Sequence, residues 1–326
     1  MPRREFIKPN LFISACIEFD SCRFDATMIS DEFVRRLAKL ANVIRVCPEM
    51  MIGLGSPRSA LRLVERKEES LKLLESKSGI DYTDKMMDFS RKYVEKIKDK
   101  NIDGFIMKAK SPTCGVRTVK IYYDTGKSHA KSAKNPGMFG KMIMDTFPNV
   151  PVETERRISN FNIRDRFFVE IFTLAAYRDI KTRLKIKELV NFHTVNKYLF
   201  MGYNQMTLKS MGNIVANHNH NTPEEVFNEY EIQLRKLLAV EQTLKKRINV
   251  LTHVYGYFKD DVSALEKEFY FSMLDDFLNS KLPYSSVLSL LESWAIRFNQ
   301  TYLVNQTIFN PYPKELITVL DSGKSL

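Results

Sequence analysis

An α/β domain built on a largely parallel, Rossmann-like sheet, followed by an all-α domain, is the architecture this sequence predicts. Three observations predict it. Up to about residue 160, short β-rich apolar runs alternate with helical patterns. From residue 161 onward only helical periodicity appears. At 326 residues the chain also has length for two domains of roughly 100–200 residues each. The expected domains are 1–160 and 161–326.

Taken in order, "LFISACI" (Leu11–Ile17), "NVIRVCPE" (Asn42–Glu49), "GFIMKAK" (Gly104–Lys110) and "VKIYYD" (Val119–Asp124) read as strands. Each is rich in β-branched or aromatic residues and is bounded by turn residues. Ser30 stands where a cap belongs before "DEFVRRLAKLA", whose Phe33, Val34, Leu37 and Leu40 share one helical face. Thr83 stands likewise before "DKMMDFSRKYVEKIKDK", with Met86, Met87, Phe89, Tyr93, Val94 and Ile97 inward. Between them, "RLVERKEESLKLLESK" (Arg62–Lys77) mixes both charges and reads as solvated surface. In the second half, Phe167–Ile180, Thr222–Phe258, Ser263–Ser280 and Pro283–Phe309 carry helical periodicity, and their aromatics read as core. No internal repeat or low-complexity linker interrupts the chain.

Composition narrows the classes. Apolar residues make up 44% and charged residues 27%, ordinary values for a soluble globular protein. No apolar run approaches the ~18 residues of a membrane span. "ISAC" at Ile13–Cys16 looks like a lipoprotein cleavage box, but Pro9 and Asn10 leave only Leu11–Ala15 apolar before it. A signal peptide needs about 7–15 such residues, so a cytoplasmic protein is expected. Residues 1–160 hold 30 Lys and Arg against 21 Asp and Glu, a net of +9 out of +11 for the chain. That excess suits a phosphorylated or otherwise anionic ligand, or simply a solubilising surface.

The cysteines carry the chemistry. Four cysteines without a secretory signal and without a C-x-x-C pair argue against a disulfide framework and against common zinc and ferredoxin patterns. Cys16, Cys47 and Cys114 each fall near a predicted strand end, where parallel sheets gather their ligands. Soft thiolates from scattered positions can converge there on an iron–sulfur cluster. Three of them leave one iron of a 4Fe–4S cube without a protein ligand, the kind of open position a catalytic metal site keeps. Spacing alone also allows four unrelated buried thiols. Other candidates are poorer. His218 and His220 read as a solvent loop, and His193 and His253 as packed or hydrogen-bonded helical residues. "GLGSPR" reads as a turn supporting the "CPE" loop, with Arg58 a candidate for a substrate anion.

"ISAC", "CRFD" (Cys22–Asp25), "VCPEMMIGLGSPR" (Val46–Arg58), "KAKSPTCGV" (Lys108–Val116) and "FPNVPVETERRI" (Phe147–Ile158) together resemble the thiouracil desulfidase family. "VNKYLFMGYN", "HVYGYFK" and "YLVNQTIFNPYPKEL" in the second half are similar to the YbgA-type helical domain. The resemblance implies that Cys16, Cys47 and Cys114 hold a 4Fe–4S cluster with one iron lacking a protein ligand. It implies Glu49 and Ser111 as catalytic groups. Cys22 falls where the family has a non-cysteine residue and is left unliganded; Phe24 replaces a tyrosine, and "DATM" lacks the usual glycines. The implied reaction is non-redox desulfuration of a thiolated base or nucleotide such as thiouracil, with hydrosulfide released. Two alternatives stand beside it: transfer of the sulfur to an acceptor for assimilation or tRNA thiolation, and a nucleic-acid-binding module with a structural metal.

Overall fold

The computed structural model describes residues 4–67 and 69–318. They form two compact units, Met1–Ala176 with Tyr312–Leu326, and Tyr177–Pro311. The first contains β1 (Asn10–Ser14), α1 (Glu32–Lys39), β2 (Asn42–Val46), α2 (Pro48–Met51), β3 (Leu61–Val64) and β4 (Lys72–Glu75). Then come α3 (Thr83–Ile97), β5 (Gly104–Met107), β6 (Val119–Tyr122), β7 (Ala130–Asn135), α4 (Met138–Thr146), β8 (Val152–Thr154) and the start of α5 (Phe161–Lys181).

One sheet has the order β2-β1-β5-β8 and is parallel throughout, with Leu11 opposite both Val43 and Gly104. Leu11–Ser14 and all of β5 are buried, which is why these strands read as unbroken apolar runs. Phe12 and Phe105 stand 5.6 Å apart between ring centres, and Phe139 of α4 closes on Phe12 at 5.9 Å. Burying such rings supplies most of the drive to assemble this unit, at roughly 25 cal/mol per Å² of apolar surface.

The second sheet, β4-β3-β6-β7, mixes parallel and antiparallel pairs and departs from expectation. "VKIYYD" is a strand, but belongs here. Arg62–Lys77, read as solvated surface, supplies the β3–β4 hairpin. Leu63 and Leu73 pair across it and are fully buried, with Val64 and Leu74 buried beside them, while Arg62, Lys72 and Glu75 are half-buried. Two four-residue strands buried on both faces carry no alternation to set against the surrounding charge. β7 and β8 were likewise unmarked in the sequence.

Both expected caps move. Asp31, not Ser30, caps α1 by accepting from Val34 N at 3.0 Å. Thr83 is the first residue of α3 and turns its hydroxyl to Leu73 N at 2.9 Å. The boundary between units falls inside α5 rather than at residue 160. A Cβ on Gly104 would lie 2.6 Å from Ile171 Cγ2 and 3.3 Å from Phe167 Cζ, so the start of α5 packs directly on β5.

The second unit holds the rest of α5, α6 (Ile186–Val195), α7 (Lys197–Met201), α8 (Gln205–Ala216) and α9 (Pro223–Leu238). It continues through α10 (Leu244–Tyr255), α11 (Ala264–Leu278), α12 (Tyr284–Arg297) and α13 (Thr301–Val304). The all-helical expectation holds, with α6 to α8 added and Thr222–Phe258 split into α9 and α10. Thr222 with Glu225, and Ser263 with Glu266, form capping boxes that start α9 and α11. Aromatic residues fill this core, as Tyr255 stacked on Tyr270 at 4.4 Å illustrates. No helix among the described residues is long and apolar enough to cross a membrane.

Candidate functional site

Because β1, β2 and β5 run parallel, their carboxyl ends open on the same sheet edge. The chain leaves β1 through Ala15 and Cys16, leaves β2 directly into Cys47, and leaves β5 into the Lys108–Val116 loop that carries Cys114. Ser14 ties two of these exits together, its Oγ accepting from Lys108 N at 3.0 Å.

All four cysteines are free thiols. Cys16, Cys22 and Cys114 are buried and Cys47 is half-buried. Cys47 Sγ lies 3.8 Å from Cys22 O, and Thr113 Oγ1 lies 3.8 Å from Cys114 Sγ. The Cys16 thiol beside it pushes Cys22 up to about 11. Its bond with Cys22, then burial, raises Cys47, and burial raises Cys114. Cys22, Cys47 and Cys114 are therefore protonated at neutral pH, and a metal that takes any of these three as a thiolate must displace its proton.

This donor set fits an iron–sulfur group. It is all sulfur, buried at three of its four members and unpaired by disulfides, as suits soft thiolate ligation. Among the described residues no three His, Cys, Asp or Glu side chains are grouped to hold a single metal ion. A zinc-type site, with donors about 2.0–2.3 Å from one ion, is not formed.

Glu49 stands in the first turn of α2, two residues after Cys47. Arg58 grips its Oε2 with Nε at 2.9 Å and Nη2 at 2.5 Å. Thr113 Oγ1 donates to its Oε1 at 2.7 Å and contacts Ser111 Oγ at 2.8 Å. Since the Thr113 proton points to the carboxylate, Ser111 donates to Thr113. The order is Ser111, Thr113, Glu49. Ser111 Oγ also accepts from Thr113 N at 3.2 Å and Cys114 N at 3.0 Å, which fixes the turn.

That turn is held from behind by glycines. The N–H groups of Gly137, Met138 and Gly140 at the start of α4 donate to the carbonyls of Gly115, Pro112 and Thr113. A Cβ on Gly140 would stand 2.3 Å from Gly115 O, and one on Gly137 2.6 Å from Thr113 O, so only glycine permits this approach. On the other side, the buried Glu155 accepts from Ala109 N and Lys108 Nζ, both at 2.8 Å.

Residues 11–155 match the family model described as 2-thiouracil desulfurase. The N-terminal part of the chain is thus similar to that family. Residues 197–313 match a second model, described as a protein of unknown function, DUF1722. The chain is 24% identical over 161 residues to the uncharacterized protein YbgA of Escherichia coli (strain K12), covering 49% of this chain and 95% of that protein. It is 26% identical over 109 residues to the uncharacterized protein YbbK of Bacillus subtilis (strain 168), covering 32% of this chain and 72% of that one. A solved structure of the [4Fe-4S]-dependent thiouracil desulfidase TudS aligns at 20% identity with a TM-score of 0.36, over 46% of this chain and 93% of that chain.

Within residues 11–155 the structure joins Glu49, Ser111 and Cys114 through Thr113, with Cys47 two residues before Glu49 and its Sγ 3.8 Å from Cys22 O. Arg58, considered for a substrate anion, is spent instead on Glu49 and on the carbonyls of Cys22 and Gly55. Thr113 and the α4 glycines escaped notice in the sequence. The signal for Thr113 was its place between Ser111 and Cys114. His218 and His220 are exposed in the turn after α8; His193 bonds Tyr230 OH at 3.1 Å, whereas His253, expected to be packed or hydrogen-bonded, is exposed on α10.

Proposed function

We propose that this protein is an iron–sulfur-dependent desulfidase that replaces the sulfur of a thiocarbonyl, as in 2-thiouracil, with oxygen from water. The observation carrying this reading is the joining of Glu49, through Thr113, to Ser111 beside cysteine thiols on one sheet edge. Cys16, Cys47 and Cys114 would hold a 4Fe–4S cluster. Such a cluster supplies, when bound with one iron free of protein ligands, a Lewis acid for the substrate's sulfur. Glu49 takes the proton of the attacking water on Oε1, the oxygen that Arg58 leaves free. Arg58 fixes the carboxylate's orientation through Oε2. Thr113 aims its hydroxyl at the same Oε1, and Ser111 orients Thr113 while holding the turn before Cys114. Water adds across the C=S bond, the oxo product forms, and the sulfur leaves as hydrosulfide with no net electron transfer.

The test uses anaerobically prepared full-length protein. Iron, acid-labile sulfide, visible absorption and conversion of 2-thiouracil to uracil and sulfide are measured on one preparation. Glu49→Gln should keep iron and absorption while turnover falls about 100- to 10,000-fold, the usual contribution of a positioned proton acceptor. Wild-type turnover in Glu49→Gln at full iron content would remove Glu49 from this role. A protein that binds no iron under these conditions would overturn the reading itself.

A further inference from the structure

Glu155 is a buried charge that the proposed reaction leaves without a task. It is 5% exposed and follows β8 directly. The β5–β8 register sets Thr154 opposite Met107, so Glu155 arrives beside Lys108 and Ala109, where the chain leaves β5. Its Oε2 accepts from Ala109 N and its Oε1 from Lys108 Nζ, both at 2.8 Å. The same ammonium donates to Ala109 O at 2.7 Å. One buried ion pair thus holds both backbone polar groups of Ala109. Lys108 N is tied separately, to Ser14 Oγ at 3.0 Å. The next residue, Lys110, is exposed and takes a φ of +59°. That left-handed conformation is costly for a residue with a Cβ and free for glycine. Ser111 follows at once, and with it the hydroxyls that lead through Thr113 to Glu49.

A left-handed lysine in a loop persists only where its surroundings over-determine it. We infer that Glu155, with Lys108, positions the turn that carries Ser111, Thr113 and Cys114. The pair locks the peptides on either side of Ala109 and so holds Lys110 in the conformation that aims the turn at Glu49. Both residues act through the backbone and neither is a catalytic residue. The consequence for turnover rests on the desulfidase reading above; the hold on the turn does not. Rotation of the Ala109–Lys110 peptide sets φ at Lys110, and its oxygen is the atom that Lys108 Nζ grips. With that oxygen released, Lys110 relaxes toward negative φ. Ser111 Oγ then leaves Thr113 N and Cys114 N, which it meets at 3.2 Å and 3.0 Å.

Amide hydrogen exchange in the full-length chain reads the turn, and kcat and KM for 2-thiouracil on the iron-loaded protein read the consequence. Wild type is compared with Lys108→Met/Glu155→Leu, with Lys108→Met/Glu155→Gln, and with the first variant carrying Lys110→Gly or Lys110→Ala. Replacing both partners leaves no buried charge uncompensated. In Lys108→Met/Glu155→Leu the Thr113 and Cys114 amides should exchange about tenfold faster, close to the worth of one net hydrogen bond, while β1 keeps its protection. Its kcat should fall about 100-fold with KM within about twofold, as for a misaimed group rather than a lost binding contact. Lys108→Met/Glu155→Gln, whose side-chain oxygen still accepts from Ala109 N, should fall between. Lys110→Gly should restore most of the lost protection, and Lys110→Ala, which keeps the Cβ, none. Equal loss of protection in β1 and in the turn would make the pair a general brace of the unit and overturn the proposal. So would wild-type exchange of Thr113 and Cys114 without the pair, or equal effects of Lys110→Gly and Lys110→Ala. Where the Leu variant does not fold, the Gln variant is read alone, with wild-type exchange in the turn as the refuting result. Wild type that converts no 2-thiouracil at full iron content would refute the desulfidase reading, while the exchange rates would still decide the role of Glu155.

Discussion

Arg58→Met tests how the site is built. The Arg58 and Glu49 side chains are only 7% and 12% exposed, and two guanidinium nitrogens share Glu49 Oε2. Removing one partner of a buried pair leaves the other charge uncompensated and costs about 3–5 kcal/mol. Nη1 also serves the carbonyls of Gly55 at 2.8 Å and Cys22 at 3.0 Å, and losing those two bonds adds about 1 kcal/mol each. The expected loss of about 5–7 kcal/mol is a large share of the 5–15 kcal/mol typical of a domain. Glu49→Gln should cost less, and the double variant should fall short of the sum by about 1–3 kcal/mol because the two residues touch. Trp294, the only tryptophan, lies in the second unit, so its emission does not report on Arg58 directly. Native-state amide exchange in β1 and β5 of the metal-free full chain is the suitable assay. A loss below about 1 kcal/mol for Arg58→Met, or strict additivity in the double variant, would refute a tightly coupled buried pair.

Three further outcomes are expected. Ser111→Ala strips an acceptor from the N–H groups of Thr113 and Cys114 and should cost about 1–3 kcal/mol in urea unfolding, with faster loss of iron from the loaded protein. Gly140→Ala, a substitution that ordinarily helps a helix by about 0.5–1 kcal/mol, should instead destabilise, because its Cβ meets Gly115 O at 2.3 Å; a raised melting temperature would contradict the packing. Burial raises the Glu170 carboxyl in α5 from 4.5 to about 7, so the folded chain holds a proton there that the unfolded chain has released. That contribution to stability is present below pH 4.5 and is lost as pH rises through about 7. Glu170→Gln should flatten the pH dependence of the urea midpoint across this window, and an unchanged profile would show that Glu170 ionises normally.

By itself the sequence determined the layered order of the molecule and the address of its chemistry. Apolar runs such as "LFIS" and "GFIM" are long enough in β-rich residues to mark buried parallel strands, and the residues just past their ends are then known to share an edge. Cys16, Cys47 and Cys114 could be placed near one another on that ground, whereas Glu49 and Ser111 were marked only by the family resemblance. What lies between distant segments was decided only by tertiary structure. Residues 9 apart in sequence make the Arg58–Glu49 pair and residues 64 apart make the Thr113–Glu49 bond, and no local pattern encodes either partner. Cys22 shows the same limit most sharply. Its neighbours in the chain mark it as one odd residue in a loop, whereas ties from Ser56 and Arg58 to the carbonyls of residues 21–23 hold it buried with its own carbonyl 3.8 Å from Cys47 Sγ. The β3–β4 hairpin and the α5–β5 contact were hidden for a related reason. Four-residue strands and a single glycine opposite Ile171 acquire meaning only when the surfaces they fit are already in place.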